Sequence, residues 1–176
     1  MDEQQIAVEI SDEVGQALLD EAQVAAIVRH VLGQEGCPVP AEVSVSFVDA
    51  AQMQELNRDY RGIDRPTDVL SFNIDDEDEF DPEDGEAFMV GDVILCPEVV
   101  EGQAAGFGNT VADEARLLLV HGCLHLMGYD HEVPQEAEHM EALERDYLAG
   151  FTDAPAAELN VGPTADHAAE GTAALR

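Results

Sequence analysis

The sequence contains no lysine. All seven of its basic residues are arginine, set against 39 acidic residues, and the formal net charge is −32. Composition taken alone argues against a nucleic-acid partner, because such a surface repels phosphate. The acidic excess is spread along the whole chain, as expected of an organism-wide salt adaptation, in which concentrated salt screens self-repulsion within a few ångströms. A dedicated cation site or a basic partner would instead concentrate the carboxylates. Long apolar runs are also missing: none approaches the roughly 18–20 residues that span a bilayer. The N-terminal MDEQQIAVEISDEV has neither the basic stretch nor the apolar core of a secretory signal. Cysteine is scarce, and Cys37, Cys96 and Cys123 form an odd, widely spaced set. They suit reduced thiols and a cytoplasmic location better than a disulfide framework.

What is present fits one sizeable domain, residues 1–150, followed by an Ala/Gly/Pro-rich acidic tail at 151–176 with few large apolar residues, expected to be disordered. Residues 6–10 read as a strand. Ser11 and Asp12 are N-cap types for a helix to about Leu32, with Val14, Leu18, Ala25, Val28 and Leu32 on one stripe. The alternating VSVSFV at 43–48 is a second strand. Asp49, with Gln52 in capping-box position, opens a helix whose Met53, Leu56 and Tyr60 share a face. Strands follow at 68–73 and 88–95, separated by DDEDEFDPEDGE, nine carboxylates in twelve positions, which reads as a solvated loop. Pro97 starts a short helix. Asn109 or Thr110 caps a long, almost continuously apolar helix, and Pro134 starts a last helix with Met140, Leu143 and Tyr147 on its core face. The expected class is α+β: a small mixed four-stranded sheet, about five helices, and the buried long helix at the centre.

That helix ends in HGCLHLMGYDH, residues 121–131, which holds three of the six histidines. His121 and His125 are four residues apart and share a helix face. Gly128 suits the left-handed end of the helix, after which the chain can return His131 to the same point. Three neutral imidazoles on a divalent ion make an open site with a position left for water, whose pKa a metal lowers towards about 7. Cys123 falls near the opposite side of the helix. Asp130 could ligate or hold an imidazole from behind. The spacing also matches the protease pattern HExxHxxGxxH, but Gly122 stands where those enzymes carry the glutamate base, and a peptidase reading fails there.

HGCLHLMGYDH, together with LNRDYRGIDRPTDVLSF at 56–72 and GDVIL at 91–95, closely resembles the YbeY family of bacterial rRNA maturation endoribonucleases, across about residues 6–150. The resemblance implies one zinc ion on His121, His125 and His131, and metal-dependent cleavage of single-stranded RNA. It also implies roles in 16S rRNA 3′ end maturation and small-subunit quality control, with small-subunit proteins and an Era-type GTPase as partners. It carries the family's functional arginine to Arg61. A planar guanidinium there would suit the extra charge on phosphoryl oxygens during phosphodiester cleavage. Arg58 and Arg65 are equally explained by ion pairing with neighbouring carboxylates, and Thr67, Asp68 and Ser71 by strand capping. Two other readings are a ribosome-assembly factor with a structural zinc and a zinc hydrolase of another substrate. The segment departs from the family's LSFP at Asn73, and the net charge predicts RNA cleavage only at elevated ionic strength.

Overall fold

A computed structural model of the chain describes residues 2–15, 18–130, 132–153, 155, 158–160 and 174–175. Strand β1 (Ile6–Asp12) runs parallel to β2 (Ala41–Phe47), and β2 runs parallel to β4 (Phe88–Leu95). Strand β3 (Val69–Asn73) closes the mixed sheet antiparallel to β4, and a two-residue β5 (Ala174–Leu175) lies parallel along its outer edge. The order is β1-β2-β4-β3-β5. The four expected strands are therefore joined by a fifth, very short one. Elsewhere in the segment read as a tail, Leu159 is buried and Asn160 hydrogen-bonds Asn109; residues 154, 156–157, 161–173 and 176 lie outside the described residues.

Among the described residues five α-helices surround the sheet: α1 (Glu21–Gln34), α2 (Ala50–Arg61), α3 (Pro97–Ala104), α4 (Val111–Leu126) and α5 (Pro134–Leu148). Four of the starts follow the sequence signals: Asp49 accepts from Gln52 N at 2.8 Å, Thr110 accepts from Asp113 N at 3.1 Å, and Pro97 and Pro134 occupy first turns. The start of α1 does not. Pairing of β1 with β2 continues to Asp12 opposite Phe47, and the Asp12 carboxylate then accepts from Val14 N and Gly15 N in a turn. The helix opens only at Asp20, which accepts from Gln23 N at 2.7 Å. Ladder hydrogen bonds to a buried partner strand outweigh a local capping preference.

The two faces of the sheet are unequal. On one, α1, α4 and α5 cover Val43, Val45, Phe47 and Val93 in the main core, with α4 buried along most of its length. On the other, a smaller cluster joins Val48, Met53, Leu70 and Cys96, with Leu56, Phe72 and Ile94 packed at its border. Successive residues of β3 point to opposite faces, so Leu70 and Phe72 meet α2 while Ser71 and Asn73 meet α4. Tyr60 is not part of the α2 core face. It is 61% exposed and rests edge-on against Phe72. The acidic segment forms two exposed single turns, Glu77–Glu79 and Pro82–Asp84, capped by their own aspartates.

Candidate metal centre

The last two turns of α4 lie on β3 and β4, and small contacts set how closely. Ser71 Oγ donates to the Gly122 carbonyl at 3.1 Å, and Asn73 Nδ2 donates to the Leu126 carbonyl at 2.8 Å. The second bond satisfies a carbonyl that a helix end otherwise leaves open. A proline at position 73 would have no side-chain donor with which to make it. Beyond Leu126 the chain turns through Gly128 at φ 96°, a conformation that suits glycine, and Tyr129 N bonds back to the Leu124 carbonyl at 3.0 Å.

This end of the helix presents His121 and His125 side by side. Their rings are 4.6 Å apart between centroids, and their Nε2 atoms approach to 2.9 Å. Each ring is held from behind. His125 Nδ1 lies 2.8 Å from the backbone carbonyl of Tyr129, and a carbonyl can only accept, so that nitrogen carries the hydrogen. His121 Nδ1 faces the buried Glu144 carboxylate on α5, which accepts in the same way. With both Nδ1 atoms protonated, both Nε2 atoms carry lone pairs, aimed at each other across less than the sum of two nitrogen–metal bonds of about 2.0–2.1 Å. Two acceptors at that separation need a proton or a cation between them. His125 is buried and the His121 side chain is 13% exposed, so solvent offers little screening. Converging neutral imidazoles anchored by a carboxylate and a carbonyl fit a divalent zinc ion.

His131 lies outside the described residues, and among the described residues no group of three or more metal-binding side chains is assembled. Cys123 points away into the main core, where burial pushes its thiol up to about 12. Arg61 closes α2, on the sheet face opposite α4, and is followed by Gly62 at φ 74°. Arg58 makes the expected exposed ion pairs, at 3.3 Å to Asp59 and 3.9 Å to Asp64, and the Arg65 carbonyl accepts from Asn57 Nδ2 at 2.8 Å. Asp92 of the GDVIL segment is on the α2 face beside Phe72, and burial raises its carboxyl pKa.

The loop between Arg61 and β3 is joined to α4 by residues that sequence reasoning left without a role. Buried Asp68 accepts from Val69 N at 2.7 Å and from Gln103 Nε2 at 2.8 Å, and the same amide reaches Glu114 of α4 at 3.2 Å. Asn109 holds the other Glu114 oxygen at 3.0 Å. Neither Gln103 nor Glu114 carried a sequence signal, since each depends on a partner distant along the chain. Glu144 did carry one: it falls four residues after Met140, on the buried stripe Ala137, Met140, Glu144 and Leu148. An acidic residue on a core stripe is costly without a buried partner. The stripe is rotated from the expected Met140, Leu143 and Tyr147, of which the last two are only partly buried.

The family described as Endoribonuclease YbeY matches residues 6–152. A protein named Endoribonuclease YbeY from Salinispora tropica is 44% identical over 153 residues, covering 83% of this chain and 96% of the relative. A protein of the same name from Rhodospirillum rubrum is 48% identical over 134 residues, covering 75% of this chain and 67% of the relative. The solution structure of a Thermotoga maritima protein superposes with a TM-score of 0.56 at 29% identity, covering 89% of this chain and 99% of that one.

Proposed function

Because the chain belongs to the YbeY family of endoribonucleases, we propose that it is a zinc-dependent endonuclease for single-stranded RNA, acting in 16S rRNA 3′ end maturation and small-subunit quality control. The observation that carries the zinc assignment is the 2.9 Å approach of the His121 and His125 Nε2 atoms with both Nδ1 atoms engaged. His131 is the third ligand in this reading, by its place in the motif. Zinc, when bound, supplies Lewis acidity that polarises a phosphoryl oxygen and acidifies water.

The chain's own residues do the rest. Glu144 and the Tyr129 carbonyl fix the tautomers and the ring orientations, so the metal-binding nitrogens stay neutral and aimed. Arg61 binds phosphoryl oxygens through paired donors of its planar guanidinium, a charge-assisted contact that strengthens as negative charge grows. Gly122 provides no proton acceptor, so peptide hydrolysis of the zinc-protease kind has no base. The partners in this reading are the 16S rRNA precursor, small-subunit proteins and an Era-type GTPase, met in the cytoplasm. Among the described residues no helix is long and apolar enough to cross a membrane.

The test is cleavage of single-stranded RNA in high salt by metal-loaded wild type, His121→Ala and Arg61→Glu. Cleavage by wild type, with loss in both variants and retained zinc in Arg61→Glu, is expected. An inactive, zinc-loaded wild type would leave a ribosome-assembly factor with a structural metal. Equal cleavage by all three would place the activity elsewhere.

A further inference from the structure

The two oxygens that orient the histidine pair come from different elements. The Tyr129 carbonyl lies in the turn after α4, and the Glu144 carboxylate lies on α5. The Tyr129 N–H bond to the Leu124 carbonyl ties the turn to α4, whereas α5 is a separate helix, so contacts between the turn and α5 set how the two orienting oxygens sit relative to each other. Both segments carry a tyrosine close to the orienting group. Tyr129 supplies the carbonyl with its own backbone, and Tyr147 follows Glu144 by about one helical turn on α5.

The two hydroxyls converge on one acceptor. Glu35 stands at the C-cap of α1, where its backbone N–H bonds the Val31 carbonyl at 3.0 Å. Its carboxylate accepts from the Tyr147 hydroxyl through Oε2 and is also hydrogen-bonded by the Tyr129 side chain. His30, five residues earlier on α1, packs edge-on against the Tyr147 ring with centroids 5.8 Å apart. The Tyr147 ring is thus held at its face as well as at its hydroxyl. Hydrogen bonds to an ionised carboxylate are roughly twice as strong as neutral ones. A single carboxylate with two oxygens can take both phenols at once. Each side chain is partly buried, which shields these bonds from water in part.

We propose that Glu35 is a positioning residue for the metal centre: by clamping the Tyr129 and Tyr147 hydroxyls together, it fixes the carbonyl and carboxylate that orient His125 and His121. The contacts run from α1 through two tyrosines to the far side of each imidazole. The inference rests on the zinc reading of the histidine pair and adds to it a residue some ninety positions upstream of the motif.

The test uses the full chain and Co²⁺ as a spectroscopic stand-in, with Zn²⁺ affinity measured by competition against a chromophoric chelator. The proteins are wild type, Glu35→Ala, Glu35→Gln, Tyr129→Phe and Tyr147→Phe. Changing a direct partner of a metal ligand typically costs 10–100-fold in affinity; one layer further out, a loss of about 3–10-fold is expected for Glu35→Ala. The Co²⁺ d–d bands should shift as well. Glu35→Gln keeps an acceptor oxygen in the same volume and should recover part of both effects, while each Tyr→Phe variant reproduces part of the loss. A folded Glu35→Ala protein with wild-type Co²⁺ bands and Zn²⁺ affinity overturns the proposal. So does a wild-type protein that binds neither ion, which removes the zinc reading beneath it as well. Wild type that binds zinc but cuts no RNA, with the Glu35 effects present, sinks the nuclease reading and leaves the positioning role standing.

Discussion

Ser71 Oγ donates to the backbone carbonyl of Gly122 at 3.1 Å, so strand β3 grips α4 at the residue where a zinc protease would carry its base. Gly122 is therefore more than a missing glutamate. A Cβ built there would sit 2.8 Å from Val93 Cγ1 and 3.1 Å from Ser71 Oγ. The helix lies so close to the sheet that no side chain fits between them. Gly122→Ala should lower stability by about 1–2 kcal/mol, overpacking of about 1–3 kcal/mol being partly offset by alanine's better helix propensity. Urea titration checks this. Gly122→Glu, which would restore the protease pattern on paper, should unfold the protein or displace α4 and give no peptidase.

Glu144 buries a carboxylate against His121, and its loss should be felt in the metal before it is felt in the fold. Glu144→Gln preserves volume and an acceptor oxygen but gives up the charge that favours a protonated Nδ1. The expected result is a zinc affinity about 10–100-fold weaker. Chelator competition measures it, and a circular dichroism spectrum matching wild type separates the effect from unfolding. An unchanged affinity would mean that the Tyr129 carbonyl and the remaining ligands suffice.

The thiols set a limit at alkaline pH. Burial, aided by the Glu77 charge, pushes Cys37 from 9.0 up to about 12, and burial pushes Cys123 to about 12. Tyr129 rises from 10.0 to about 12, first through its hydrogen bond to Glu35 and then through desolvation. In each case the folded state holds the proton more tightly than the unfolded chain. The stabilisation is complete below about pH 9 and is lost as pH rises through about 12, because the unfolded chain releases protons first. Denaturation midpoints should hold level from pH 7 to 8.5 and fall steadily by pH 10.5. Neither Cys37 nor Cys123 should react with a thiol reagent at pH 8 until the protein is unfolded.

A net charge of −32 predicts a marked response to salt. At about 1 M salt the screening length is roughly 3 Å, so repulsion between exposed carboxylates further apart than this is largely screened. The melting temperature should climb with added KCl, and RNA cleavage should appear or accelerate over the same range as repulsion of the substrate fades. For an ordinary basic RNA-binding surface the second trend would run the other way. A cleavage rate that falls monotonically from low salt would show that local arginines already dominate the encounter.

Much of this region is legible in the sequence. The spacing of His121 and His125, the glycine turn, the caps at Asp49 and Thr110 and the proline at the start of α5 are all local, set within a few residues by helix geometry and backbone chemistry. The parts that were not readable depend on residues distant along the chain. Asp12 looked like a helix cap until β2 claimed its backbone. Tyr60 fell on the α2 stripe, yet that helix meets only a shallow cluster of Leu70, Phe72 and Ile94 that leaves its last turn in solvent. Gln103 joins Asp68 to Glu114 only because α3 and α4 fold back over the start of β3.

The sequence by itself determined which side chains could bind a metal and where the helix carrying them begins and ends, because periodicity and capping act over one or two turns. It also determined that Gly122 stands where the zinc-protease pattern carries its glutamate base. Only the tertiary structure decided which nitrogen of each imidazole faces its neighbour, through a carboxylate on α5 and a carbonyl in the following turn. It likewise decided that α2, which ends at Arg61, and α4 pack on opposite faces of one sheet, because alternation along β3 sends Phe72 to α2 and Ser71 to α4. Strand alternation is written in every residue, but which face meets which helix is set by packing.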